Sequence, residues 1–190
     1  TVVSTEIKRL SRLVTSMLNL SKIEAGELEI KPVNFDITQQ IINCMLTFEQ
    51  TIEKKNITVN GFENLTQTMV FADRDMIYQV LYNLIDNAVK FTNENGTITV
   101  FTGETNDGMQ YVSIENTGEG ISAEETGRIF ERFYKVDKSR SYDVKSAGLG
   151  LYLCKTIVEM HQGRIYVESQ QNKFTRFTFA LPKNISKNNS

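Results

Sequence analysis

The first clues in this sequence are absences. Its 190 residues include a single histidine, His161. A catalytic site that needs two histidines, or a histidine-rich metal site, is therefore excluded. The two cysteines, Cys44 and Cys154, stand far apart in unrelated contexts, which argues against a disulfide framework and against a Cys-x-x-Cys metal site. No apolar run approaches the roughly 18–20 residues needed to span a bilayer.

A large net charge of either sign is also lacking. The chain carries 21 Lys and Arg against 23 Asp and Glu, for a formal charge of −2, which argues against nucleic-acid binding through the bulk field of the protein. At 40% hydrophobic and 23% charged residues, the composition is that of an ordinary folded domain, with room for one appended element. Because the chain begins at Thr1 and not at Met, we expect it to be a piece of a longer protein.

The amino-terminal residues have a helical pattern of their own. Four apolar residues recur at spacings of three and four: Ile7, Leu10, Val14 and Met17. Gly26 and Pro32 predict the end of this helix, because glycine suits a left-handed cap and proline cannot continue a helix. Such an amphipathic stripe predicts packing against a partner helix.

The remaining chain alternates between helical and strand patterns. Helices are predicted over residues 36–52, 73–91 and 149–161, with a short one after Ser122, whose spacing to Glu125 is that of a capping box. Strands are predicted at residues 57–59, 69–71, 97–102, 109–115, 164–168 and 174–181. This inventory predicts an α+β fold, a two-layer α/β sandwich with helices on one face of a mixed or antiparallel sheet.

One polar line on the long helix could carry chemistry. Asn83, Asn87 and Lys90 lie at positions i, i+4 and i+7, apart from the apolar stripe of the helix. Asparagine oxygens can bind Mg²⁺, and a lysine can bind phosphate. The alternative is an ordinary solvated helix face, although two asparagines in mid-helix are unusual because asparagine is a poor helix former.

Two glycine-bearing segments are the other candidates. Gly118 and Gly120 follow a strand and would let the backbone approach a flat ligand, with Asn116 available to a base edge. Gly148 and Gly150 precede a helix, where backbone N–H groups can bind phosphate. Neither a Walker loop nor a Rossmann fingerprint is present. Taken singly, each segment could equally be an ordinary turn.

Taken together and in this order, these motifs resemble the catalytic, ATP-binding domain of bacterial sensor histidine kinases, within the gyrase, Hsp90, histidine kinase and MutL superfamily. Asn83-Leu-Ile-Asp-Asn-Ala-Val-Lys-Phe-Thr92 resembles the asparagine box of that family. Asn116-Thr-Gly-Glu-Gly-Ile121 and Gly148-Leu-Gly-Leu151 resemble its two glycine boxes. Phe130 to Arg140 resembles the phenylalanine box and the start of the ATP lid, and Thr175 to Pro182 the closing strand. Residues 9–26 resemble the second helix of the dimerisation and phosphotransfer hairpin.

The resemblance implies a role for each matching residue. Asn87 would be the main Mg²⁺ ligand, with Asn83 assisting, Lys90 would bind phosphate, and Phe91 would pack on the nucleotide. The adenine pocket would be formed by Asn116, Gly118, Gly120, Ile121 and Thr175. The triphosphate would be held by the backbone of Gly148, Leu149 and Gly150, and approached by Arg132, Lys138 or Arg140. Phe130 and Phe133 are expected to pack in the core under the lid.

The sequence departs from the family pattern at four places. Asn116 stands where the family usually has an aspartate, and the loss of charge predicts an adenine affinity roughly five- to tenfold lower. Ser146 and Phe174 stand where the family has glycines, and the larger side chains are expected to narrow the pocket or stiffen its rim. The phosphoacceptor histidine of the family is also missing. His161 matches a structural position at a helix end, so the acceptor is expected upstream of Thr1.

The resemblance therefore implies a histidine kinase that transfers the γ-phosphoryl group of Mg-ATP to a histidine outside these residues, for relay to a response regulator aspartate. Residues 1–31 would be a hairpin helix that forms a homodimer, residues 32–183 the ATP-binding domain, and residues 184–190 a disordered tail. The parent protein would be membrane-anchored with this part in the cytoplasm. The alternatives are a kinase-like nucleotide-binding or dimerisation module without turnover, and a serine kinase or ATPase of the same superfamily.

Overall fold

The computed structural model describes residues 7, 11, 14–15, 17–23, 25–134 and 148–183. Among these residues, the amino-terminal helical segment is followed by five helices: α1 (Ile37–Leu46), α2 (Glu49–Lys54), α3 (Arg74–Phe91), α4 (Ala123–Thr126) and α5 (Gly150–Met160). The strands are β1 (Val33–Asp36), β2 (Thr58–Asn60), β3 (Met69–Ala72), β4 (Thr97–Glu104), β5 (Met109–Thr117), β6 (Arg164–Gln170) and β7 (Phe174–Pro182). A 3₁₀ turn covers Phe62–Asn64.

The strands form a mixed five-stranded sheet and a separate two-stranded ribbon. The order in the large sheet is β2-β4-β5-β7-β6, with β2 parallel to β4 and the other pairs antiparallel. The ribbon pairs β1 with β3. Helices α3 and α5 bury their apolar stripes against this sheet, where Leu81, Ile157 and Phe179 are almost fully inaccessible. The predicted two-layer α/β sandwich is therefore confirmed.

Local signals placed most of these elements correctly. Asp73 caps α3 by accepting from the N–H groups of Asp75 and Met76, both at 3.1 Å, and Ser122 with Glu125 forms the expected capping box. Asp36 caps α1 as predicted. The helix predicted over residues 36–52 is nevertheless two helices. The Thr47 hydroxyl bonds the Cys44 carbonyl at 2.7 Å and helps end α1 there.

The amino-terminal helix ends at Gly26, as the sequence predicts. Residues 17–23 and the described residues 7, 11, 14 and 15 are helical, and Gly26 follows with a φ of +69°. Leu20 is buried, Ile23 packs against the core, and the Asn19 side chain donates to Gln79 of α3 at 3.2 Å. The predicted apolar stripe, in contrast, is exposed: Ile7, Val14 and Met17 are 63%, 48% and 54% accessible. Leu10 and the expected tail at 184–190 lie outside the described residues.

No helix within the described ranges has the length and apolar character needed to cross a membrane.

Candidate functional site

Helix α3 carries the predicted polar line, and its Asn83 lies beside the start of α5. Asn83, Asn87 and Lys90 are each half-buried, and Phe91 at the last position is 58% exposed. The Lys90 ammonium lies 5.0 Å from the centre of the Phe91 ring. The carboxyl end of this helix thus presents a cation and an aromatic ring side by side, which suits a ligand with phosphates and a flat base.

Asn83 lies against the first residue of α5. A Cβ built on Gly150 would stand 3.6 Å from the Asn83 side-chain oxygen, an ordinary van der Waals distance, so the Asn83 side chain lies directly beside the start of α5. The Asn83 amide nitrogen is buried and has no hydrogen-bond partner. An unpaired buried amide costs about 1–3 kcal/mol, so this group is a candidate for a contact with something that binds here.

Cys154 lies beside Asn83 on the next turn of α5. Burial raises the pKa of the Cys154 thiol to about 12, while the Asn83 side chain acts in the opposite direction. The thiol also points to the Val80 carbonyl of α3, at 3.8 Å. Because the thiol stays protonated at neutral pH, Cys154 is a packing residue between the helices and not a nucleophile.

The first glycine segment packs on the carboxyl end of α3. A Cβ on Gly118 would stand 2.5 Å from the Phe91 carbonyl oxygen, so only glycine allows this approach. Asn116, just before it, is 5% exposed and lies opposite Thr175 of β7 in the sheet register. The Asn116 amide donates to the Thr117 carbonyl at 3.1 Å. The residues expected to hold adenine therefore sit next to the residues expected to hold phosphate.

Ser169, which no sequence motif indicates, joins this segment to the sheet. Its hydroxyl accepts from the Ile121 N–H at 2.8 Å and donates to the Phe174 carbonyl at 2.7 Å. It also lies 3.1 Å from the Thr175 hydroxyl, directly across the ladder. Gly120 completes the join, since its φ is +69° and a Cβ there would stand 2.4 Å from the Gln170 carbonyl oxygen. Only the β6–β7 register could have revealed Ser169.

The second glycine segment enters α5. Gly148 has a φ of +69°, and its carbonyl accepts from the Phe133 N–H at 3.0 Å. A Cβ on Gly148 would stand 2.8 Å from the Tyr134 carbonyl oxygen. Leu149 is buried, and Gly150 starts the helix. This geometry holds the backbone of the segment at the amino terminus of α5, close to Asn83.

The two phenylalanines expected under the lid behave differently. Phe130 packs on the core, edge-on to Phe177 with ring centres 6.1 Å apart. Phe133 does not: it is 57% exposed, and its φ of 62° turns its side chain away from the core. The core prediction is therefore wrong for Phe133. The Arg132 guanidinium lies 5.0 Å from the Phe133 ring, while Lys138, Arg140 and Ser146 lie outside the described residues.

Phe174 does not narrow the space beside Thr175. Successive residues of a strand face opposite sides of a sheet, so Phe174 shares the outer side with Arg176 while Thr175 faces Asn116. The Phe174 ring centre is 5.5 Å from the Arg176 guanidinium, which is also paired with Glu115 of β5. The replacement of glycine by Phe174 is accommodated on the outer face.

His161 is a structural residue at the far end of α3. It is completely buried at the end of α5, and its Nε2 accepts from the Asp73 N–H at 3.0 Å. Its Nδ1 lies 2.8 Å from the Ile157 carbonyl, to which it donates. Both ring nitrogens are engaged, which agrees with the helix-end role predicted for this residue.

Among the residues that the structure describes, no group of three or more His, Cys, Asp or Glu side chains could hold a metal ion. A divalent cation in this region would therefore depend on amide oxygens and on oxygens of its own ligand.

Comparison with known proteins gives consistent results. Residues 72–185 match the family described as "Histidine kinase-, DNA gyrase B-, and HSP90-like ATPase". Over 183 residues the chain is 36% identical to the sensor protein SrrB of Staphylococcus aureus, covering 96% of this chain but 31% of SrrB. This chain thus spans about a third of the length of that relative.

Two solved structures are similar as well. The nucleotide-free catalytic domain of histidine kinase ThkA superposes with a TM-score of 0.66 at 32% identity, over 80% of this chain and 96% of that one. ThkA in complex with the response regulator protein TrrA gives 0.71 at 31% identity, over 95% of this chain and 50% of that one. With the family match covering more than half of its length, the chain belongs to the histidine kinase-, DNA gyrase B- and HSP90-like ATPases.

Proposed function

We propose that this chain is the ATP-binding catalytic part of a sensor histidine kinase, which transfers the γ-phosphoryl group of Mg-ATP to a histidine other than His161. One observation carries the proposal: helix α3 lies against both glycine segments. Gly150 abuts Asn83 near the middle of the helix, and Gly118 abuts Phe91 at its end. Segments that are distant in sequence thereby border one region. There the second glycine segment, whose backbone N–H groups suit phosphate, is joined by the first, whose backbone a flat ligand can approach.

The adenine would lie between β5, β7 and the first glycine segment. Asn116 and Thr175 face each other there, and Ser169 holds the Ile121 N–H in place. Gly118 and Gly120 would keep the backbone close to the base, since neither position has room for a Cβ. Phe91, exposed beside Gly118, would stack on the nucleotide.

The phosphates would lie between Lys90 and the second glycine segment. The N–H groups of Gly148, Leu149 and Gly150 would donate to them at the amino terminus of α5. Arg132, Lys138 or Arg140 would supply further positive charge from the segment after α4. In this arrangement the chain binds and orients the nucleotide, and positioning and charge stabilisation do most of the catalytic work.

The residues fit a magnesium ion held through amide oxygens. Asn87 would bind it directly through its side-chain oxygen, and the Asn83 side-chain oxygen, which lies beside Gly150, would bind the ion or its waters. When bound, Mg²⁺ neutralises charge on the triphosphate. Asn83 would be held in position by its contact with Gly150 and by its packing beside Cys154.

The proposed partners are a response regulator protein and a second copy of this chain. ThkA is a histidine kinase seen with a response regulator protein, and we extend that partnership to this chain, with an aspartate on the regulator as the final acceptor. The exposed stripe of Ile7, Val14 and Met17 supports a homodimer through the amino-terminal helix. Residues 1–31 and 32–183 would then be a dimerisation segment and a catalytic domain.

Calorimetric titration with Mg-ATP tests the nucleotide claim. We expect saturable binding that weakens at least tenfold in Asn87→Ala, because the variant loses a metal ligand. Asn43→Ala, which removes an exposed asparagine on α1, should bind like the parent chain. No heat and no thermal shift at millimolar Mg-ATP would refute the proposal. Acid-labile label from γ-labelled ATP, on a longer chain with an additional histidine, tests the transfer step.

A further inference from the structure

The carboxyl end of α3 is held by a lysine from outside the helix. Lys55, directly after α2, places its ammonium group 2.9 Å from the Val89 carbonyl oxygen, 3.0 Å from that of Lys90 and 2.8 Å from that of Thr92. An ammonium group has three N–H donors. All three are therefore directed to one helix end, from a residue about 35 positions earlier in the chain.

This contact replaces the usual way of ending a helix. The last four carbonyls of a helix lack partners within it, and a glycine in left-handed conformation commonly satisfies them. Here the residue after α3, Thr92, is extended, with φ −74° and ψ 130°. Its N–H serves only the Ala88 carbonyl. Lys55 satisfies the next two carbonyls, and the Phe91 carbonyl lies against Gly118.

Lys55 is itself firmly placed. Its own carbonyl accepts from the Asn95 N–H at 2.9 Å, and the neighbouring Asn56 side chain donates to Asn95 at 2.7 Å. Next, the Thr58 N–H donates to the Gly96 carbonyl at 2.9 Å. The loop after α3 is thus tied to the backbone around Lys55, which fixes the point from which the Lys55 side chain reaches the helix end.

Charge gives this contact a second effect. The carboxyl end of a helix carries roughly half a negative charge, which disfavours a nearby anion. Burial lowers the pKa of Lys55, and Glu94 opposes that shift. A lysine that remains protonated at neutral pH would offset the negative helix end at the place where a polyphosphate would approach Lys90.

We propose that Lys55 is a positioning residue of the nucleotide site, which orients Lys90 by holding the last turn of α3 and shields the phosphates from the negative helix end. The inference rests on the proposed nucleotide binding. It predicts a loss of affinity that grows with the number of phosphates, because the helix dipole acts on charge. A purely structural role would weaken the binding of ATP, ADP and AMP by the same factor.

The test compares three variants of the full chain by titration with Mg-ATP, Mg-ADP and AMP. In Lys55→Met we expect ATP affinity to fall roughly five- to tenfold and AMP affinity by less than about twofold. Lys55→Arg keeps the charge but cannot direct three donors to one point, so its ATP affinity should fall only about two- to threefold. Lys54→Met removes an exposed lysine next in sequence and should bind like the parent chain.

Each outcome decides a separate question. If the parent chain binds no Mg-ATP, the proposed function fails. If it binds but folded Lys55→Met matches Lys54→Met, or loses all three nucleotides equally, the inference on Lys55 is wrong. Should Lys55→Met not fold by circular dichroism, Lys55→Arg decides, because parent-like ATP affinity in that folded variant would overturn the positioning role.

Discussion

The two ends of helix α3 are built in opposite ways. At its amino terminus, Asp73 caps the helix with its side chain and gives its own N–H to the buried His161. At its carboxyl terminus, the carbonyls are held by Lys55, while Lys90 is half-buried and Phe91 is 58% exposed. One end is closed by contacts within the fold, and the other leaves side chains available to a ligand.

This difference separates stability from binding along a single helix. Buried, paired groups at the amino-terminal end stabilise the fold, because leaving any of them unpaired costs free energy. Accessible groups at the carboxyl-terminal end contribute little to stability and are placed for a ligand. Substitutions at the first end should lower the free energy of unfolding alone, and those at the second end should mainly lower nucleotide affinity.

The largest effect on folding is expected from His161→Leu. It removes the acceptor of the Asp73 N–H and the fully buried imidazole, and we expect the free energy of unfolding to fall by about 3 kcal/mol. Urea unfolding measures this loss. His161→Gln, which offers an acceptor oxygen, should lose less. The folded fraction of both variants should bind Mg-ATP like the parent chain, and weaker binding without destabilisation would break the comparison.

Gly118→Ala should affect both properties. Its new Cβ would lie 2.5 Å from the Phe91 carbonyl oxygen, so the end of α3 must move. We expect a loss of about 2 kcal/mol in stability and a fall of roughly tenfold or more in Mg-ATP affinity. The control is Gly127→Ala, where the nearest atom is 3.9 Å away and neither property should change. Parent-like binding by Gly118→Ala would argue against this end as the ligand end.

Lys90→Ala tests the carboxyl-terminal end without disturbing packing. We expect Mg-ATP affinity to fall about tenfold through the loss of a charge-assisted contact, with stability within about 0.5 kcal/mol of the parent. Lys155→Ala, on the exposed face of α5 where Lys155 pairs with Glu159 at 3.8 Å, is the matched control. Titration calorimetry and thermal unfolding on the same samples separate the two effects. Unchanged affinity in Lys90→Ala would remove Lys90 from the proposed site.

The smallest effect is expected from Asp73→Ala. Loss of the cap on the N–H groups of Asp75 and Met76 should cost about 1 kcal/mol, and Mg-ATP affinity should not change. Asp73→Asn keeps an acceptor and should cost less. A change in affinity here, at constant stability, would mean that the two ends of α3 are coupled.

Sequence patterns predicted this fold well wherever the signal was local. The Asp73 cap, the Ser122 capping box and the end of the amino-terminal helix at Gly26 depend on residues within a few positions of one another. The resemblance-based motifs were placed on the expected elements for the same reason. The lone strand β1 was missed, because what makes it a strand is its pairing with β3 more than thirty residues later.

Errors in the candidate site have a related cause. Phe133 has the large apolar side chain that is typical of a core residue. The turn around it, with a φ of 62°, nevertheless leaves its ring exposed. Ser169 and Lys55 carry no motif and look like ordinary surface residues in the sequence. Their importance comes from partners brought close by the sheet register and by the loop after α3.

The sequence by itself determined the two-layer α/β class, the family motifs and the exclusion of histidine-based sites, because these depend on periodicity, short-range capping and composition. The tertiary structure alone decided which polar groups meet: His161 with the start of α3, Lys55 with its end, and Ser169 with the first glycine segment. Those contacts join residues far apart in the chain, and their partners are set by how helices and strands pack, which no local pattern encodes.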